Sequence, residues 1–203
     1  MISNKKYIVI KKDTKDSEHI KGRGNKTYKV WRQLLKRALG DDYKSKYPTY
    51  ADCSVCEDWL KFSKFKEWFD KNYRYDLEEQ GVRLELDKDL LSNGDKVYSP
   101  ETCVFLPSCV NNFIAKNKNT NTSGYIGINF NKNTNKWIVR IAEFRKSKRK
   151  YCGLFENIED AIEVYKKEYN IQKLKVCEYL KELKYNDSIV SKIESLEVYN
   201  ADN

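Results

Sequence analysis

The chain of 203 residues contains a single histidine, His19, and it lies in a polar N-terminal stretch where a solvated surface position is expected. No apolar run approaches the roughly 18 residues that a membrane-spanning helix needs. The longest apolar run near the N-terminus, Tyr7 to Ile10, is flanked by lysines and too short for the core of a secretory signal. Neither a signal peptide nor an anchor is expected, and a soluble protein of the cytoplasm is. Without an export signal, the six cysteines read as free thiols, or a metal site at most, rather than as a disulfide framework. Aromatic residues are not scarce: Tyr 15, Phe 8 and Trp 4 supply enough large side chains for a packed core. That rules out collagen-like, low-complexity and fully disordered chains. The length suits one compact domain or two small ones.

Charge is distributed in blocks. Residues 1–50 carry 14 Lys/Arg against 5 Asp/Glu, and residues 101–150 carry 10 against 2. The intervening 51–100 and the final 151–203 are net acidic, with 8 against 12 and 7 against 11. Two basic blocks separated by acidic, aromatic-rich segments suggest two surfaces offered to one polyanion, nucleic acid first. A solubilising lysine excess in a Lys/Asn-rich protein is the plainer alternative.

Residues 1–26 read as a short strand, YIVI, or basic arm, followed by the glycine-bearing loop KGRGNK. From Tyr28 to Leu39, apolar residues recur at three and four, which predicts a helix capped by Thr27, with Arg32, Lys36 and Arg37 on its polar side as candidate DNA contacts. The segment CEDWLKFSKFKEWFDKNY places Trp59, Leu60, Phe62, Phe65, Trp68, Phe69 and Tyr73 around half a helix, a core-forming pattern. Residues 82–114 read as strand, turn at Ser92-Asn93-Gly94-Asp95, second strand, then a helical start at Val110. Asn-Gly between strand-like runs signals a hairpin because both tolerate positive φ. The polar KNKNTNTSG stretch is a linker at 115–123. Three strands follow in GYIGINF, KWIVRIAEF and KRKYCGLF, then a helix from Ile158 to about Leu183 and a short docked helix between Asp187 and Tyr199. The fold class is therefore α+β: N-terminal helices with a ββα-like module over 27–114, and a three-stranded antiparallel sheet covered by a helix over 124–185.

GYIGINF, KWIVRI and RKYCGLFENIEDA, over about residues 123–170, resemble the APETALA-type DNA-binding domain, whose relatives include the sheet domains of some integrases. The resemblance implies a sheet set in the major groove. By position, it implies contacts from Asn129, Asn131, Lys136, Trp137, Arg140, Arg145 and Arg149. Asn129 and Asn131 stand where the plant proteins usually carry arginine, and Asn pairs with adenine where Arg prefers guanine, so base preference does not transfer. On KWIVRIAEF, alternation separates Trp137, Val139 and Ile141 from Lys136, Ile138, Arg140 and Ala142, without deciding which side is exposed.

YKVWRQLLKRAL, the YPTY and CSVCEDWLKF run, and LELDKDLL with GDKVYSPETCVFLPSCVNNF resemble HNH-type endonuclease-related proteins of phages and mobile elements, in which an APETALA-type domain often follows. The resemblance implies one divalent ion, Mg or Mn, and a general base that is usually His. At that place the chain has Asp87-Lys88-Asp89: Lys88 at the histidine position, Asp87 and Asp89 as metal-ligand candidates, Tyr98 as a substitute proton acceptor, and Asn111 or Asn112 at the later ligand positions. A lysine flanked by carboxylates stays charged and makes a poor base. Cys53 and Cys56 have the spacing of half a zinc knuckle, with Cys103 and Cys109 as the other pair for a structural zinc. Packing as small apolar residues explains them equally well. Two readings follow: a metal-dependent endonuclease acting on double-stranded DNA, or a non-catalytic DNA- or RNA-binding regulator or inhibitor of a host nucleic-acid defence system. The acidic, aromatic blocks leave a protein partner open.

Overall fold

The computed structural model describes residues 25–115 and 123–198. The predicted YIVI strand, residues 21–24 of the KGRGNK stretch, His19, most of the 115–123 linker and the last residues of the tail lie outside these, while Asn25 and Lys26, read as loop, cap and begin the first helix. The α+β class is present: helices, two small two-stranded sheets and one three-stranded antiparallel sheet followed by a long helix. Packing divides the chain after Pro107 into units 1–107 and 108–203. Sequence placed the division at 115–123, so residues 108–114 group with the second unit instead.

In the first unit, α1 (Lys26–Leu39) buries Trp31, Leu34, Leu35 and Ala38 along one stripe. Its cap is Asn25, whose side chain accepts the Tyr28 N–H at 2.7 Å, while the predicted cap Thr27 is buried within the first turn. A short helix α2 (Asp41–Lys46) follows Gly40. The aromatic segment predicted as one helix is two pieces, a 3₁₀ turn over Asp58–Leu60 and α3 (Phe62–Asn72), with Lys61 extended between them. The Trp59 carbonyl accepts the Trp31 indole N–H at 2.8 Å, which ties the break to α1. Trp59, Phe62, Phe65 and Phe69 are fully buried and, with Trp31 and Phe105, form one aromatic core, as the pattern required. Phe69 stacks on Tyr73 at 4.7 Å and meets Phe105 edge-on at 5.1 Å. α4 (Tyr75–Glu79) leads to the strands.

The strands are β1 (Ser54–Val55), β2 (Leu84–Asp87), β3 (Val97–Tyr98) and β4 (Val104–Pro107). The predicted hairpin across Asn93-Gly94 does not form. Both residues do take positive φ, 47° and 101°, but the turn lies in a loop: β2 pairs antiparallel with β4, and β3 pairs in parallel with β1. The cause is local. The Asp87 carboxylate accepts the N–H groups of Asp89 and Leu90, ending β2 in an Asx turn, and Thr102 accepts the Ser99 N–H and donates to the Val97 carbonyl, turning the chain back into β4. The strand–loop–strand order is kept with a longer connection.

The second unit begins with α5 (Ser108–Ile114), whose Phe113 stacks on Tyr169 at 5.2 Å. Strands β5 (Ile128–Asn131), β6 (Lys136–Ala142) and β7 (Arg149–Phe155) form the sheet in that order. α6 (Ile158–Glu182) covers one face, burying Ala161 and Tyr165 against Ile128, Val139 and Ile141. α7 (Asp187–Glu194), capped by Asn186, docks on α6, with Lys181 pairing Glu194 at 3.2 Å. Gln172 of α6 is 1% exposed, and its Oε1 accepts the Phe144 N–H at 2.9 Å, tying the β6–β7 turn to the helix. Gln172→Ala leaves that buried N–H without its acceptor and is expected to destabilise the second unit by about 1–3 kcal/mol. A urea titration checks this; an unchanged midpoint would contradict it. Among the described residues no helix is long and apolar enough to cross a membrane.

Candidate nucleic-acid interface

The three-stranded sheet has one covered and one open face, and burial along β6 decides between them. Val139 and Ile141 are buried under α6, so Lys136, Ile138, Arg140 and Ala142 form the open side. Register carries the assignment across the sheet. Asn129 faces Ile138 and Asn131 faces Lys136 from β5; Leu154, Tyr151 and Arg149 face Ile138, Arg140 and Ala142 from β7. The strand residues of this face include Lys136, Arg140 and Arg149 and no carboxylate, but Lys136 is paired with Glu156, just past β7, at 3.3 Å. Among the described residues neither Arg140 nor Arg149 has an ion-pair partner, and Asn129 makes no side-chain hydrogen bond. Such a surface presents undischarged positive charge to any polyanion brought against it.

A β-bulge at Val139/Arg140 shapes the face. Cys152 is the extra residue on β7, and it shifts the alternation by one, so Tyr151 and Arg149 fall on the same side as Leu154. Without it, Lys150 would point out; instead Lys150 lies on the covered side, held by Glu168 of α6 at 2.8 Å. Gly127 enables the opposite edge. Its φ is 112°, and its carbonyl accepts the Arg140 N–H at 2.8 Å, an approach so close that a Cβ there would lie 2.3 Å from the Arg140 carbonyl oxygen.

Several expected contacts are placed elsewhere. Trp137 is on the covered side, paired with Phe130 at 5.0 Å and opposite Phe155, so it packs and does not read. Arg145 lies in the β6–β7 turn at positive φ, with its guanidinium 4.7 Å over the Tyr179 ring of α6, away from the open face. Asn131 does sit on the open face, but its Oδ1 accepts the Asn133 N–H at 3.0 Å in an Asx turn, which ties its amide to the turn. Asn129, Lys136, Arg140 and Arg149 remain. Sequence reasoning missed Tyr151 and Leu154, 55% and 41% exposed; spacing of two from Arg149 gave a signal for Tyr151, whereas the bulge hid Leu154.

The α1 cations divide too. Arg32 and Lys36 are exposed, Lys36 lying 5.1 Å over the Tyr43 ring. Arg37 turns inward, 5.6 Å over Tyr50, and donates to the Tyr98 hydroxyl, so packing absorbs it.

At the end of β2, Asp87 and Lys88 are both buried. Lys88 pairs with Asp89, and its ammonium lies 5.7 Å over the Tyr98 ring. Burial, with Asp89 adding to it, raises the Asp87 carboxyl above its ordinary 3.8 despite the two N–H groups it accepts. Burial drives the Tyr98 hydroxyl strongly upward, against the pull of Arg37, so it does not serve as a proton acceptor near neutral pH. A divalent ion does not fit this arrangement: a fixed ammonium already neutralises Asp89, and Asp87 Oδ1 is spent on the backbone. Asn111 and Asn112 belong to α5 in the second unit, half-buried and exposed respectively. Among the described residues no three His, Cys, Asp or Glu side chains come together as a metal-holding group.

Of the four cysteines considered for zinc, Cys53 and Cys103 are core residues and Cys56 and Cys109 are half-buried. Cys53 and Cys103 are buried in the aromatic cluster, and burial pushes the Cys103 thiol up to about 12 and also raises Cys53 and Cys56. Thiols so shifted oppose the deprotonation that zinc ligation requires. Cys109 lies on α5 in the second unit, its thiol also raised by burial.

If Asp87 is a turn-former, its two neutralising substitutions separate. Asp87→Asn keeps an acceptor for Asp89 and Leu90 and removes a buried charge, so it is expected to match or exceed the native stability at neutral pH. Because the folded carboxyl titrates above 3.8, native Asp87 loses stability as pH rises through its raised value. The Asn advantage therefore vanishes below that range. Asp87→Ala loses the acceptor and costs about 1–3 kcal/mol. Thermal melts at pH 3 and pH 7 check this, and equal loss in both variants would contradict the role.

Comparison with known proteins gives no match: no family model fits the chain, and neither a curated protein nor a solved structure is similar to it.

Proposed function

We propose that the protein binds duplex DNA through the open face of the β5–β6–β7 sheet, inside a bacterial host cell, and that its first unit is a retired nuclease-like scaffold. The observation that carries the proposal is the cationic open face, on which Arg140 and Arg149 have no ion-pair partner among the described residues and Lys136 is paired only with Glu156 at the strand end. A sheet of this width fits the major groove, where base edges are distinguishable. The resemblance to the APETALA-type domain supports the same docking mode. Scaffold rather than catalyst is favoured at β2 because Lys88 is salt-bridged, Asp87 caps a turn and Tyr98 is held protonated. A regulator or an inhibitor of a host nucleic-acid system is the role this combination suits.

The test incubates the purified protein with supercoiled plasmid and linear duplex in Mg²⁺, Mn²⁺ or EDTA, beside a gel shift on the same DNA. Expected is a shift that weakens steeply with salt, as phosphate contacts release counterions, and no cleavage. Metal-dependent cleavage abolished by Asp87→Ala would establish the nuclease reading instead, and the absence of any shift would overturn DNA binding.

A further inference from the structure

Resting on the duplex-DNA reading of this face, we infer that an apolar strip across the middle of the sheet reads thymine methyl groups, so that the protein prefers A·T-containing major grooves. The cross-strand row Asn129, Ile138, Leu154 runs through β5, β6 and β7. Leu154 is 41% exposed and Ile138 is half-buried beside it on the side that α6 does not cover. An exposed leucine against a half-buried isoleucine at the centre of a sheet, with Lys136 on one side and Arg140 on the other along β6, is badly placed for solvation. Lys136 is already paired with Glu156 at 3.3 Å, so the uncompensated charge on this face is that of Arg140 and Arg149, which draws a polyanion onto the patch and disfavours an apolar protein surface that cannot neutralise it. Within duplex DNA, the apolar group that a major-groove edge offers is the C5-methyl of thymine. Asn129 adds the matching specificity at the end of the row. Its amide makes no side-chain hydrogen bond among the described residues, and an Asn amide pairs bidentately with adenine N6 and N7. Asn131, the next residue of β5 on this face, already accepts the Asn133 N–H on its carbonyl oxygen, which fixes its amide in the turn and makes it the less free of the two. An A·T pair thus offers a bidentate partner to the amide and a methyl to the aliphatic pair, whereas a G·C pair offers the amide single hydrogen bonds only and the aliphatic pair no methyl.

The experiment measures affinity by fluorescence anisotropy for an alternating adenine–thymine duplex, for the same duplex with uracil replacing thymine, and for an alternating guanine–cytosine duplex. It also includes the corresponding adenine–uracil RNA duplex. Uracil preserves pairing and removes only the methyl. The native protein is expected to bind the thymine duplex about fourfold tighter than the uracil duplex for each methyl covered, and the guanine–cytosine duplex more weakly than either. Leu154→Ala is expected to remove the thymine–uracil difference while retaining salt-sensitive binding. Leu154→Asn, which keeps the side chain's length and branching, is expected to do likewise and guards against a packing defect in the alanine variant. Equal affinity for the thymine and uracil duplexes, a difference that survives both variants, or tighter binding of RNA each overturns the inference while leaving a nucleic-acid-binding face. Failure to bind any duplex overturns the underlying reading.

Discussion

Arg140→Ala combined with Arg149→Ala is expected to weaken duplex DNA binding by about a hundredfold at fixed moderate salt, since each removes a cationic contact of roughly 1–3 kcal/mol. The two guanidinium groups have no carboxylate partner among the described residues, so removal breaks no internal ion pair and the fold is expected to survive. Lys150→Ala is the matched control. It deletes one positive charge from β7, next to Arg149, but Lys150 lies on the covered side and is neutralised by Glu168. If binding were a diffuse response to net charge, Lys150→Ala would cost as much as either arginine. The open-face account predicts a small effect for Lys150 and a large one for the arginines, read by anisotropy titration with a circular dichroism check of folding. Comparable losses in all three positions would show that total charge, and not this face, drives binding.

Gly127→Ala is expected to destabilise the second unit by about 3 kcal/mol or more. Two costs combine. A φ of 112° lies in a region that side chains rarely enter, and the added Cβ would meet the Arg140 carbonyl oxygen at 2.3 Å and the Tyr165 ring at 3.2 Å. Backbone on one side and a buried ring on the other leave no direction for relief. DNA binding should fall with folding, in contrast to the arginine pair, where it falls without unfolding. Denaturation followed by far-ultraviolet circular dichroism distinguishes them. A native-like midpoint for Gly127→Ala would show that the β5–β6 approach is looser than its geometry.

The helices and the sheet were legible because their periods are strong. Trp31, Leu34, Leu35 and Ala38 recur at three and four, and Val139 and Ile141 alternate with Arg140 and Ala142, so burial of one stripe or face was dictated locally. The pairing of β2 was not legible. Asn93-Gly94 adopts its positive-φ turn, yet the strand before it is closed by the Asp87 Asx turn and its partner lies beyond Thr102, a choice made by hydrogen bonds that no alternation encodes. The open-face residues were half legible for a related reason. The Cys152 bulge reverses the alternation on β7, so pattern alone would place Lys150 with Leu154, and only register puts Arg149 and Tyr151 there. Trp137 was misplaced because resemblance assigned it a contact while alternation left the two faces undecided. The Lys88 environment depends on three distant segments, Arg37, Tyr98 and the β2 end, brought together by packing.

The most direct test of the central claim is an amide chemical-shift titration of the ¹⁵N-labelled protein with an adenine–thymine duplex. The account predicts that perturbations concentrate in β5, β6 and β7, strongest around Asn129, Ile138, Arg140, Tyr151 and Leu154, and spare the outward side of α6. Perturbations confined to α1 or α6, with the three strands unmoved, would contradict it.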